Sequence, residues 1–304
     1  MRRVIAAFLG AMALAGLAVG GAGAASKVKV VASLPDLKAL TEAVGGDLVE
    51  VESLGRGSQN PHDIEVRPSL MVKLRRADLF VRNGIGGDPW VEPLLVGSQN
   101  AQIFPGSPGY VDASVGVRVM PPSGPVDRSR GDVHPEGNPH YTIDPGTAAQ
   151  VTQNILEGLK RVAPGNAAKF DEQRRAFLER LDADMARWQK AMEPVRGTKV
   201  VTYHEGFNYF LNRFGLTLAG AIEDRPGIPP SPTHLANLIR QMKDQGIKVV
   251  IAEPYADRNT AELVARDSGA RALILPHAVG GVKGADTYTQ MIDYNVNALA
   301  GALK

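Results

Sequence analysis

Short apolar runs alternate with stretches of helical periodicity along most of this chain. VKVVAS at 28–33 is apolar and too short for a helix, so it reads as a strand. The segment after Pro35 reads as a helix closed at Gly45-Gly46, and 48–54 reads as a second strand. A loop, GRGSQNPHD, leads to a helix at 69–76 and a strand at 78–83. Strands alternating with helices predict a parallel α/β sheet.

The pattern then lapses. Residues 105–139 are dense in Pro, Gly and Ser and carry little periodicity, so they read as a long loop with a short hairpin at 115–120. Helical spacing returns at 147–162. After Pro164-Gly165 it resumes through NAAKFDEQRRAFLERLDADMARWQKAM, where Phe170, Phe177, Leu181, Met185, Trp188 and Met192 form one stripe. Such a helix spans about 40 Å and reads as a connector between two lobes. The second half repeats the first theme, with strands at 198–203, 216–222, 248–252 and 271–275. A helix opens at Ser231-Pro232 and closes at Gly246. The expected organisation is a first α/β lobe at 25–164, a connector helix at 165–194 and a second α/β lobe at 195–304.

The first residues change the picture of where the chain works. Arg2 and Arg3 precede an uncharged run at 4–19, and Ala22-Gly23-Ala24 fits a small-x-small cleavage site. Residues 1–24 therefore read as a secretory signal peptide rather than an anchor. Without them, basic and acidic residues balance at 32 each, which gives no electrostatic footprint for nucleic acid. The chain has no cysteine, so disulfides, thiolate metal sites and cysteine lipidation are all excluded. The expectation is a free, monomeric protein of a Gram-negative periplasm.

Candidate chemistry rests on the histidines, of which there are six. His62 lies just past the loop after the second strand. His204 follows the strand at 198–203, and His277 follows the strand at 271–275. Ligands of open α/β sheets bind outside the carboxyl ends of strands, so these positions are informative as a set. His140 joins them by context: in GNPHYTIDP it is held between Pro139 and Asp144-Pro145. Several imidazoles gathered in one cleft suit a transition metal, with Zn²⁺ favoured in a sulfur-free set. His134, beside Asp132 and Glu136 in the long loop, reads as a solvated loop histidine. His234, in the first turn of its helix, reads as exposed or structural.

The segments QNPHDIEVRPS at 59–69, ADLFVRNG at 77–84, GNPHYTIDP at 137–145, YHEGFNYFLNRFGL at 203–216 and EDRPGIPPSPTHL at 223–235 together resemble the periplasmic zinc- and manganese-binding proteins of ABC importers. The resemblance runs in order through almost the whole chain after residue 24. It implies two α/β lobes joined by one long rigid helix, with metal between them, and the stiff connector predicts small lobe movements. It implies ligands at His62, His140 and His204, and zinc rather than manganese, because manganese members carry Glu where His204 stands. The chain departs from the resemblance at the fourth ligand. An Asp usual after the last strand is missing from ALILPHAVGGVKGADTY, and His277, Glu253 or a water are the candidates.

The implied role is capture of Zn²⁺ as cargo and delivery to an ABC permease in the inner membrane, with a zinc chaperone contacting the 121–139 loop. A manganese or other divalent-metal carrier is the alternative within that class. A secreted zinc hydrolase is the alternative outside it. Against the hydrolase, HEGFN at 204–208 has Asn208 where H-E-x-x-H needs its second histidine, and no G-x-S-x-G elbow is present. Adhesion lacks an evident surface attachment. The expectation is a carrier, not an enzyme.

Overall fold

The computed structural model describes residues 26–122 and 134–304. The proposed signal segment, and residues 123–133 of the 121–139 loop with Asp132 among them, lie outside the described residues. In the first lobe the strands are β1 (Val28–Ala32), β2 (Val49–Ser53), β3 (Leu79–Arg82) and β4 (Tyr110–Asp112), with helices α1 (Pro35–Gly45), α2 (Pro68–Arg75), α3 (Val91–Ser98) and α4 (Ala148–Val162). Helix α5 (Ala167–Met192) follows. The second lobe has β5 (Lys199–Thr202), α6 (Asn208–Phe214), β6 (Thr217–Ala221), α7 (Pro232–Gln245), β7 (Val249–Ala252), α8 (Arg258–Ser268), β8 (Arg271–Ile274) and α9 (Tyr288–Leu303).

The two sheets share one topology. Their orders are β2-β1-β3-β4 and β6-β5-β7-β8, and the paired strands in each are parallel. The order switches direction between β1 and β3 in one sheet and between β5 and β7 in the other. That switch is where an open α/β sheet forms a binding crevice.

Period-two alternation explains how each sheet sits in its layers. Val30 and Ala32 of β1, with Leu79 and Val81 of β3, face one large core; Val31 and Phe80 face outward into a smaller one under α2 and α3. The second sheet repeats this, with Val200, Val249 and Ile251 inward and Val201, Val250 and Ala252 under α7 and α8. The large core runs through both lobes and takes in Phe177, Leu181 and Trp188 of α5 and Val296 and Leu299 of α9. At the edge, β2 alternates buried and exposed positions, whereas central β7 is buried throughout.

Helix α5 matches the expected connector and stripe, with Met185 half-buried rather than buried. Helix α7 has the expected ends: Ser231 accepts the His234 amide, and Gly246 closes the helix with φ 64°. One expectation needs correction. No hairpin forms at 115–120, which is turn and irregular backbone. The long loop instead begins with β4, a three-residue strand without detectable period, held by Phe80 N–H to Gly109 O at 2.8 Å and Ala113 N–H to Arg82 O at 3.0 Å. Helix α9 also went unread, although Thr287 and Gln290 form a capping box at its start.

Candidate metal centre

The carboxyl ends of both sheets face a common cleft, and five of the six histidines meet there. His62 sits in the loop after β2. Asn60 Oδ1 accepts its amide at 3.1 Å, and Trp90 Nε1 donates to the Pro61 carbonyl at 2.8 Å, fixing the turn. His140 stands at the start of the short 3₁₀ turn Tyr141–Ile143, where Asn138 Oδ1 accepts its amide at 2.9 Å. Asn83 donates to the Pro139 carbonyl at 3.1 Å, and Tyr141 donates to the Asn83 carbonyl at 2.7 Å. His204 comes two residues after β5, and His277 three residues after β8.

The imidazoles converge on His140. Its Nε2 lies 3.3 Å from His62 Nε2 and 3.3 Å from His204 Nε2. A tetrahedron with metal–nitrogen bonds of ~2.0–2.1 Å has ligand-to-ligand edges of about 3.3–3.4 Å. His277 packs edge-on against His140 with ring centroids 4.8 Å apart. Its Nε2 points to the Gly206 carbonyl at 3.2 Å, so a metal contact from this ring requires Nδ1 or a rotation.

His134 is a correction. It was expected to be a solvated loop residue, yet its ring lies 4.9 Å from that of His62, and its Nε2 is buried without a hydrogen-bond partner. Ligand nitrogens of His62, His134 and His140 all lie within 4.8 Å of one another. The Pro/Gly-rich context suggested exposure, but His134 itself lies against the rings of His62 and His140. His234 is structural as expected, with its Nε2 2.9 Å from the Ala221 carbonyl.

The electrostatics keep most of these rings neutral. Burial, reinforced by neighbouring imidazoles, holds His62 and His140 well below the ordinary histidine range. Burial and then His204 lower His277 to about 4, and burial also lowers His134. His204 goes the other way. Burial opposes its charge, but a hydrogen bond to Glu223 and the charges of Glu253, Glu223 and Glu205 outweigh burial and raise it. Glu223 Oε2 lies 3.0 Å from His204 Nδ1, which orients the ring with Nε2 toward the cleft, as a carboxylate behind a metal-binding histidine does.

Glu253 follows β7 and is 1% exposed. Neither carboxylate oxygen has a partner at hydrogen-bonding geometry, although its own amide and that of His204 face it. Burial, partly offset by His204, raises it to about 7. Sequence reading missed the supports: Glu223, Asn138 and Asn60. Glu223 was open to discovery, since it follows β6 as the histidines follow their strands. Asn138 was not, because it is defined by contacts across the lobes. Its side chain donates to the Glu205 carbonyl at 3.0 Å, and its own carbonyl accepts from Tyr209 Oη at 2.8 Å.

Comparison with known proteins places this geometry in context. A family described as "Zinc-uptake complex component A periplasmic" matches residues 30–302. The zinc-binding lipoprotein AdcA of Streptococcus pneumoniae serotype 4 is 23% identical over 90% of this chain and 55% of its own length. The chain thus spans about half the length of the first curated relatives it matches. The iron ABC transporter substrate-binding lipoprotein MtsA of Streptococcus pyogenes serotype M1 is 24% identical over 100% of this chain and 98% of its own. Among solved structures, the solute-binding protein FpvC of Pseudomonas aeruginosa in complex with Mn²⁺ superposes with TM-score 0.79 at 26% identity, over 91% of this chain and 99% of its own. These names overturn one expectation. The curated relatives are lipoproteins, which contradicts a free periplasmic protein without lipidation. The absence of cysteine removes one attachment atom; it does not by itself fix where a chain resides.

Proposed function

Because this chain belongs to the zinc-uptake component A family, whose members are solute-binding proteins and not enzymes, we propose that it captures one Zn²⁺ between its lobes and delivers it to the membrane permease of an ABC importer. The observation that carries the reading is the pair of 3.3 Å imidazole edges sharing His140, with His62 supplied by the first lobe and His204 by the second. His62, His140 and His204 bind through Nε2. The fourth position falls to His277 once its ring leaves the Gly206 carbonyl, with Glu253 or a water as the other occupants. His134, beside the His62 ring, supports a role as the point where a zinc-donating partner hands over its ion to the monomer.

Zinc is preferred over manganese because the converging donors are imidazoles. Manganese favours oxygen ligands, and the buried carboxylate offered as a fourth ligand, Glu253, is held toward its neutral form. Calorimetric titration of the full chain with Zn²⁺ and with Mn²⁺ tests this. The expected outcome is one-to-one zinc binding, weaker manganese binding, and loss of at least ~100-fold zinc affinity on replacing His140 with Ala, since a ligand rather than its support is removed. Wild type with no zinc affinity overturns the reading; equal affinity for both ions overturns the selectivity.

A further inference from the structure

Asp36 lies outside the histidine set, in the first turn of α1 at the switch point of the first sheet. It is 2% exposed. A carboxylate at this helix position ordinarily faces the free amides of its own first turn. Here both oxygens turn to other parts of the chain. Oδ1 accepts the Val279 amide at 2.7 Å, 243 residues away, and Oδ2 accepts the Thr142 hydroxyl at 3.0 Å, 106 residues away.

The two partners are not arbitrary. Thr142 stands two residues beyond His140, and Val279 two residues beyond His277. One carboxylate therefore fastens the segment carrying an imidazole of the first lobe to the segment carrying an imidazole of the second. Its surroundings leave those segments little freedom. Tyr288 Oη donates to the Thr142 carbonyl at 2.8 Å. A Cβ on Gly57 would collide with the Val279 carbonyl, so the His62 loop also passes against this point. Asp36, Thr142, His62, His140 and His277 line one narrow cavity. Burying a carboxylate is costly, and burial raises Asp36 to about 6. A plain helix start has no need of that cost.

We infer that Asp36 is a positioning residue for the cargo: its carboxylate sets the register between the His140 and His277 segments at which both imidazoles can address one ion. The inference rests on the metal-carrier reading above and deepens it. Asp36 touches no ion itself.

The test uses the full chain with Zn²⁺ and Co²⁺ as probes, in wild type, Asp36→Ala, Asp36→Asn and Thr142→Val. Zinc affinity is read by competition with a chromophoric chelator, coordination by the visible d–d bands of the Co²⁺ form, and folding by thermal melting of the apoprotein. Asp36→Ala is expected to lose about 10–100-fold in zinc affinity, the usual effect of removing a support behind metal ligands, and to alter the Co²⁺ spectrum. Asp36→Asn keeps an acceptor for Val279 and offers an amide to the Thr142 oxygen, so it stays within about threefold of wild type and restores the spectrum. If Asp36→Ala does not fold, Thr142→Val, which removes one arm, decides by the same two readouts. A lower melting temperature with unchanged affinity and unchanged Co²⁺ spectrum overturns this inference alone. Wild type that binds neither ion overturns the carrier reading, and this inference with it.

Discussion

Among the clustered imidazoles, His204 is the one raised above the ordinary histidine range, while His62, His134, His140 and His277 are lowered. The difference decides what a cation meets near neutral pH. The lowered rings already offer bare nitrogens, and His204 is the ring that must give up a proton. The sign follows: below its raised pKa His204 holds the proton, so zinc affinity begins to fall as pH drops through that raised value, above the ordinary histidine range. His62 and His140 do not join until pH falls well under that range, and His277 not until about 4. Titrations between pH 5 and 8 are expected to show the logarithm of affinity falling, with a slope that approaches one proton per ion once pH is below the raised pKa of His204. Glu223→Gln removes the charged hydrogen-bond partner of His204 and one of the three carboxylate charges that raise it. It is expected to shift this dependence to lower pH and to weaken zinc binding about 10–100-fold, read in the same titrations. An unshifted profile would exclude Glu223 as the group that holds the His204 ring.

At the scale of elements, helix α5 couples the lobes through a few large side chains. Trp188 is fully buried, and its Nε1 donates to Asp293 of α9 at 2.6 Å. Trp188→Ala is expected to cost about 3–5 kcal/mol of stability, the sum of lost burial and a cavity that α5 cannot collapse into. Denaturant unfolding followed by circular dichroism measures it, and a loss under ~1 kcal/mol would mean that α9 repacks freely. The stripe carrying Trp188 was legible in the sequence because a 26-residue helix repeats its period many times. Strand β4 was not, since three residues hold no period and its place is set by hydrogen bonds from β3. The histidines at strand ends were legible for a similar reason to the helix: topology alone aims them at one cleft. Asp36 and Asn138 stayed hidden because each is defined by a partner that only the folded chain brings near.

At the scale of the whole molecule, the lobes meet along a seam of polar bonds beneath the cleft. Arg213 of α6 grips Asp144 with two bonds, 2.7 Å from Nε to Oδ1 and 2.9 Å from Nη2 to Oδ2. Asn138 and Tyr288 add the cross-lobe bonds described above. The segment bearing His140 is thus fastened to both lobes, whereas the His62 turn is secured by bonds within its own lobe. Arg213→Met leaves the Asp144 carboxylate with the Gly146 amide and is expected to cost about 1–3 kcal/mol, measured as a lower midpoint in denaturant unfolding. No change would place the seam's strength elsewhere. The bond from Asp36 to Val279 also has a bearing on time. Early and late parts of the chain close on each other across 243 residues, and a contact so distant in sequence forms late in folding because loop entropy must be overcome first. An incomplete chain holds His62, His140 and His204 with the anchor of their neighbours still open. Under the carrier reading, competence to retain an ion then arrives together with completion of the fold, and a half-folded chain makes a poor trap for metal.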